Sequence, residues 1–296
     1  MTEFLQLCFA GTALGARYAL VALGFVIVYR ATGVINFAQG GLLALGAYLA
    51  FSFNIELPFA VAVLCALLVT GAVGAGFERL VLRRMVDQPV FAVIMITIGL
   101  LFVIEQVITT VWGFDARNLR DPWGIETLEA GGVVFALRDL WTLALAAAAL
   151  GAFFALFRFS KIGVAMRAAA LDQEAALAQG ISAGRVQGLS WALAGVMGAL
   201  AGVMFASGPA AVDPTIGAIA LVAFPAVILG GLDSPTGAVL GGLIIGIVQS
   251  LTAGYQDDLA PWLGSNFAVV MPYVVMVLIL LVRPYGLLGT KEVQRV

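Results

Sequence analysis

Apolar residues run along this chain in long blocks separated by short polar breaks. Nine blocks can be marked, at residues 4–29, 34–53, 58–77, 89–112, 140–158, 188–208, 217–231, 236–254 and 265–282. Several approach the roughly 20 residues a helix needs to cross a bilayer. The pattern predicts an all-α polytopic membrane protein of about eight to ten transmembrane or re-entrant helices, with residues 1–296 forming one membrane domain. The block at 217–231 is short for a full span. It reads as tilted, re-entrant or broken, which requires protein or a water-filled cavity around it. The first block is long enough to divide near Gly15. One passage stands apart: Arg158–Gln187 is polar and helix-prone, with apolar blocks on both sides.

Composition agrees with the pattern. The chain is 62% hydrophobic and 11% charged, where soluble domains are nearer half apolar and a quarter charged. Its 35 glycines suit close helix packing in lipid. Gly11-x3-Gly15, Gly198-x3-Gly202, Gly237-x3-Gly241 and Gly242-x3-Gly246 read as such packing sites. Histidine is absent, which removes His metal sites and the Ser-His-Asp triad. Cys8 and Cys65 sit in apolar blocks and read as buried free thiols. No cluster has metal-ligand spacing and no cofactor is implied. GxxxxGK[ST] does not occur, so ATP is not bound through a P-loop, and no enzyme is read. A net charge of −2 argues against a nucleic-acid partner. The N-terminal MTEFLQLCFAG lacks the basic region of a cleaved signal peptide, so the first block is expected to be retained.

Lys and Arg in the breaks set the orientation. One set holds 11 of the 15 basic residues, including Arg79, Arg83, Arg84, the 158–187 passage and the C-terminal end; the other holds Arg117, Arg120 and Arg138. The asymmetry puts 158–187 and the C-terminus in the cytoplasm. The opposite side is acidic, with Asp115, Asp121, Glu126, Glu129 and Asp139 in the longest loop, 113–139.

Four residues are candidates for a pathway. Arg17 falls near the middle of the first block, where a charge must face protein or water. Glu105 lies within the fourth. The favoured reading pairs the two; the other has Arg17 meet a substrate carboxylate. Asn36 and Gln39 are amides beside Gly40 and Gly41, where they satisfy a helix break, line a pathway, or both. Residues 34–50 and 227–246 echo each other as a polar break before a Gly-rich apolar run, a pattern that can mark a transport path.

From Lys161 the polar passage is rich in helix formers. Gly180 can end that helix as a C′ glycine, and Ser182 can cap a second that runs into the membrane. The expected shape is two helical pieces at a sharp bend on the inner face.

Glu174-Ala175-Ala176 followed by Gly180 and Ile181 resembles the EAA loop of bacterial ABC-importer permeases. Tyr18–Gly24, Gly33–Gly40, Gly46-Ala47-Tyr48, Gly230–Ala238 and Arg283–Gly289 together resemble the LivH group of branched-chain amino acid permeases, over essentially the whole chain. The resemblance implies an ABC importer permease fold in the bacterial inner membrane. It also implies partners: a second, LivM-type permease, two cytoplasmic ATPases and a periplasmic binding protein. Arg167, Asp172, Glu174, Ala175, Ala176 and Gly180 would couple to the ATPases, and the cargo would be branched-chain or other hydrophobic amino acids. The family usually has His where Gln39 stands, often an apolar residue at Arg17, and commonly glycine at Asp233. These departures bear on the cargo, and urea or small and aromatic carboxylates remain alternatives. An ion-coupled transporter using Glu105 is a further one.

Overall fold

The computed structural model describes residues 2–85, 88–171, 173–208, 210–263 and 266–290. Each of the nine apolar blocks is helical. In chain order the helices are α1 Thr2–Thr32, α2 Gln39–Phe53, α3 Phe59–Leu80, α4 Val90–Trp112, α5 Leu137–Phe159, α6 Lys161–Leu171, α7 Gln173–Ala178, α8 Ala183–Ala206, α9 Ile219–Gly230, α10 Pro235–Leu259 and α11 Phe267–Val282. Six are long and apolar enough to cross a membrane: α1, α3 with its following turn, α4, α5, α8 and α10. Three shorter apolar helices, α2, α9 and α11, complete the bundle. The block at 217–231 is a broken element, a 3-10 turn Pro214–Ala218 leading into the 12 residues of α9. α9 is largely buried, as an incomplete span requires, while the turn buries Ile216 and Gly217 and exposes Thr215 and Ala218.

The first block does not divide. α1 is one helix of 31 residues, roughly 46 Å at 1.5 Å per residue, longer than the ~30 Å hydrocarbon core. It is the axis of the fold: 83% of its most apolar stretch is buried, as is 72% for α8, against 22% for α4. α1, α2 and α8 therefore form the centre, while α3, α4 and α5 present apolar side chains outward.

Small residues set the central spacing. A Cβ on Gly11 would stand 2.7 Å from Ile247 Cα, and one on Gly15 would stand 2.7 Å from Leu243 Cα. Gly242 and Gly246 of α10 face Ala19 and Gly15 in return. The glycine repeats of α1 and α10 thus interlock backbone to backbone, which only small side chains permit.

The loop 113–139 is not irregular throughout. Thr127–Ala130 (β1) and Val133–Ala136 (β2) pair antiparallel, Thr127 opposite Ala136 and Ala130 opposite Val133. Gly131 and Gly132 turn the hairpin with φ of +61° and +78°, the two positive values a tight two-residue turn needs. Phe135 of β2 meets Phe9 of α1 with ring centroids 4.7 Å apart. The loop is fastened to the bundle by an antiparallel bridge between Arg117 and Val212.

Candidate functional site

The break between α1 and α2 is built from short-range polar contacts. Gly33, at φ +71°, lets the chain leave α1, and its N–H donates to Tyr29 O at 2.7 Å. Asn36 then organises the entry to α2. Its Oδ1 accepts from Ala38 N at 3.0 Å, its backbone O from Gln39 N at 3.2 Å, and its Nδ2 approaches Gln39 Oε1 at 3.5 Å. Gln39 Nε2 donates to Ala194 O of α8 at 3.1 Å. Both amides are fully buried. The Gln39 side chain is wedged between α1 and α8 where Gly24 and Gly198 leave room; a Cβ on Gly198 would reach 2.9 Å from Nε2. Of the two, Gln39 is spent on holding three helices together, while Asn36 also borders a cavity.

That cavity measures about 220 Å³ and lies among the ends of α1, α3, α4 and α8. Thr32, Asn36, Thr97, Glu78, Gln88, Gln187 and Trp191 supply its polar lining. The indole N–H of Trp191 is buried without a partner among the described residues. A small space with apolar walls and a few converging polar groups has the make-up of a small-molecule site.

Arg17 does not pair with Glu105. Its Nη2 donates to Asp139 Oδ1 at 2.6 Å, and its guanidinium lies 5.8 Å from the Phe205 ring centroid. Asp139 belongs to the first turn of α5, so the middle of α1 is level with the Leu137 end of α5. The excess length of α1 is the reason: halfway along it is not halfway through the bundle. Glu105 sits half-buried on α4 with no ion pair among the described residues. Asn36 and Gln39 are together; Arg17 and Glu105 join neither them nor each other.

The polar passage forms the expected elbow. α6 and α7 are followed by Gly180 at φ +81°. Ile181 N donates to Ala176 O at 3.0 Å and Gly180 N to Leu177 O at 2.9 Å, the Schellman pattern that ends a helix at glycine. Ala176 is buried, and Ala175 and Gly180 are exposed. Ser182 precedes α8 but makes no side-chain cap bond, so its expected role fails; the extended backbone there points the chain into α8 without it. Arg167 donates back to the carbonyls of Phe157 and Arg158, fastening α6 to the end of α5. Asp172 and the side chain of Glu174 lie outside the described residues.

A second clamp holds the far side of the elbow. Arg83 donates through Nη2 to Gly184 O at 2.8 Å and to Glu78 Oε2 at 3.0 Å, and through Nε to Glu78 Oε1 at 3.3 Å. Glu78 is 1% exposed and lines the cavity below Asn36, so one guanidinium links the elbow's exit into α8 to the cavity wall. The two Gly-rich stretches near the C-terminus also meet. Leu287 N donates to Leu229 O at 2.8 Å and Leu288 N to Gly230 O at 3.1 Å, and Thr290 donates to the Asp233 carboxylate through both N and Oγ1.

Residues 7–280 match the family of branched-chain amino acid transport system permease components. The chain belongs to that family. Among relatives, this permease is 31% identical to the high-affinity branched-chain amino acid transport system permease protein LivH of Salmonella typhimurium, over 99% of this chain and 98% of the other. It is 28% identical to the corresponding protein BraD of Pseudomonas aeruginosa, over 99% and 98%. It is 27% identical to the ribose import permease protein RbsC of Escherichia coli, over 89% and 81%. The family is one of transport permeases, not enzymes, and the permease is a multi-pass membrane protein.

Sequence reasoning missed Asp139, the Glu78–Arg83–Gly184 clamp and the hairpin. The loop 113–139 read from the sequence takes in Asp139, although an acidic residue opening a helix suits the positive end of its dipole. Gly131-Gly132 between Leu128-Glu129-Ala130 and Val133-Val134-Phe135 is the available hairpin signal.

Proposed function

We propose that this permease is the membrane-spanning subunit of an ATP-driven importer for branched-chain or other hydrophobic amino acids. The whole chain serves as one permease domain in the bacterial inner membrane, with the elbow and C-terminus in the cytoplasm. Its partners are a LivM-type second permease, two ATPase subunits and a periplasmic binding protein that delivers the cargo. The observation that carries the reading is the full-length match to amino-acid permeases, with a rigid helical elbow on the side richest in Lys and Arg. In this reading the ATPases grip α6, α7 and the Gly180 bend, through Arg167, Asp172, Glu174, Ala175, Ala176 and Gly180. Closure of the ATPases moves the elbow against α8. Arg83 carries that movement to Glu78 and the cavity under Asn36. Arg17 and Gln39 hold the frame in which the cavity opens, and Glu105 contributes to the path on the face of α4 that meets the second permease.

Uptake of labelled leucine by cells with and without the chain tests the cargo. Excess valine and isoleucine should suppress it; excess ribose, urea or benzoate should not. Suppression by ribose, urea or benzoate instead would assign the same importer another cargo. Uptake that survives loss of the cognate ATPases would sink the importer in favour of an ion-coupled carrier.

A further inference from the structure

α4 carries polar groups on the wrong face for a lipid-exposed helix. It packs mainly on α2, and of its 23 residues only Thr97, Ile104 and Ile108 are fully buried. Their spacing of seven and four puts them on one side. Gln106 and Thr110, on the other side, are exposed, and Glu105 is half-buried beside them. Gln106 Nε2 donates to Thr110 Oγ1 at 3.2 Å, which uses one of its two donor hydrogens. The Glu105 carboxylate has neither ion pair nor hydrogen bond among the described residues. Gln106 lies six residues before Trp112, roughly 9 Å along the helix, which is inside the hydrocarbon layer for a helix of this length. By contrast, the outward face of α3 offers Leu64, Leu68, Val69 and Val73, as a lipid contact should.

An acidic group and an amide inside the hydrocarbon are costly unless protein or water covers them. Water alone would suit the polar pair, but the same face carries Met95, Phe102, Val103, Val107 and Val111. Gly99 lies seven residues before Gln106 on this face, with open space where a Cβ would stand, leaving room for close helix approach. We infer that the Gln106–Thr110 face of α4 is the contact for the LivM-type second permease subunit, whose membrane-spanning helix offers hydrogen-bond donors to Glu105 and Gln106. The inference rests on the two-permease importer proposed above and names its seam.

The test places a benzophenone amino acid at Val103, next to the polar pair but leaving it intact, and in a separate variant at Leu68 on α3. Membranes holding the assembled importer are irradiated and the adducts identified by mass. Val103 should label a peptide of the LivM-type permease, and Leu68 should label lipid; adducts at Val103 to another copy of this chain would overturn that occupant. Lipid adducts alone at Val103 overturn the assignment. Co-purification of a second permease with the unsubstituted chain is followed in parallel. A co-purifying partner with only lipid adducts at Val103 rejects this surface and leaves the importer standing; no co-purifying partner rejects both.

Discussion

Arg17 Nη2 lies 2.6 Å from Asp139 Oδ1, joining the middle of α1 to the first turn of α5. The side chains are 13% and 10% exposed, and Asp139 is the one carboxylate that pairs with Arg17 among the described residues. Asp139→Leu alone should destabilise the permease by roughly 3–5 kcal/mol, because a buried guanidinium is left unpaired. Arg17→Leu combined with Asp139→Leu should recover most of that loss, since a buried pair is often replaceable by apolar residues. Thermal unfolding in detergent measures both. A double variant no more stable than Asp139→Leu would mean that the pair is not the source of the effect.

Gln39 and Gly24 are predicted to be coupled. A methyl group on Gly24 would run into the Gln39 carboxamide, so Gly24→Ala should cost about 1–3 kcal/mol by overpacking. In a Gln39→Ala background the same change should cost much less. A double-mutant cycle on unfolding midpoints reads the interaction, and strict additivity would refute the wedge.

Arg83 is predicted to serve both stability and transmission. Arg83→Ala strands the buried Glu78 carboxylate, at a cost of about 1–3 kcal/mol. In the assembled importer it should lower uptake while ATP hydrolysis continues. Arg83→Lys should restore only part of the uptake, because an ammonium lacks the planar fork that spans Glu78 and Gly184. Hydrolysis and uptake falling in proportion would leave the clamp with a structural role alone.

The bend at Gly180 is predicted to tolerate Asn better than Ala or Pro. Among the described residues nothing stands within 4 Å of a Cβ there, so the cost is in the backbone. At φ +81° Ala should cost about 1–2 kcal/mol, and Asn less. Pro cannot adopt that φ and loses the bond to Leu177 O. Uptake should therefore rank Gly, Asn, Ala, Pro. Normal uptake by Gly180→Pro with Glu174→Lys would remove the elbow from the coupling scheme.

The nine helical blocks, the elbow and its Gly180 bend were legible in the sequence because they are local. Block length, helix propensity and a glycine after a polar helix do not depend on what lies across the bundle. The glycine repeats announced close packing, but which helices interlock, α1 with α10, needed the tertiary structure. Pairings across the chain were likewise hidden. Arg17 and Asp139 are 122 residues apart, and no local rule prefers Asp139 to Glu105 as the partner. Depth was misjudged for the same reason. Sequence places a charge along its helix, but the offset between neighbouring helices decides its height in the bundle. The sequence by itself determined the helices, the membrane class and the resemblance that led to the family. Only the tertiary structure decided which polar groups share a contact, because each buried charge or amide is satisfied by whichever group the packing of distant helices brings within about 3 Å.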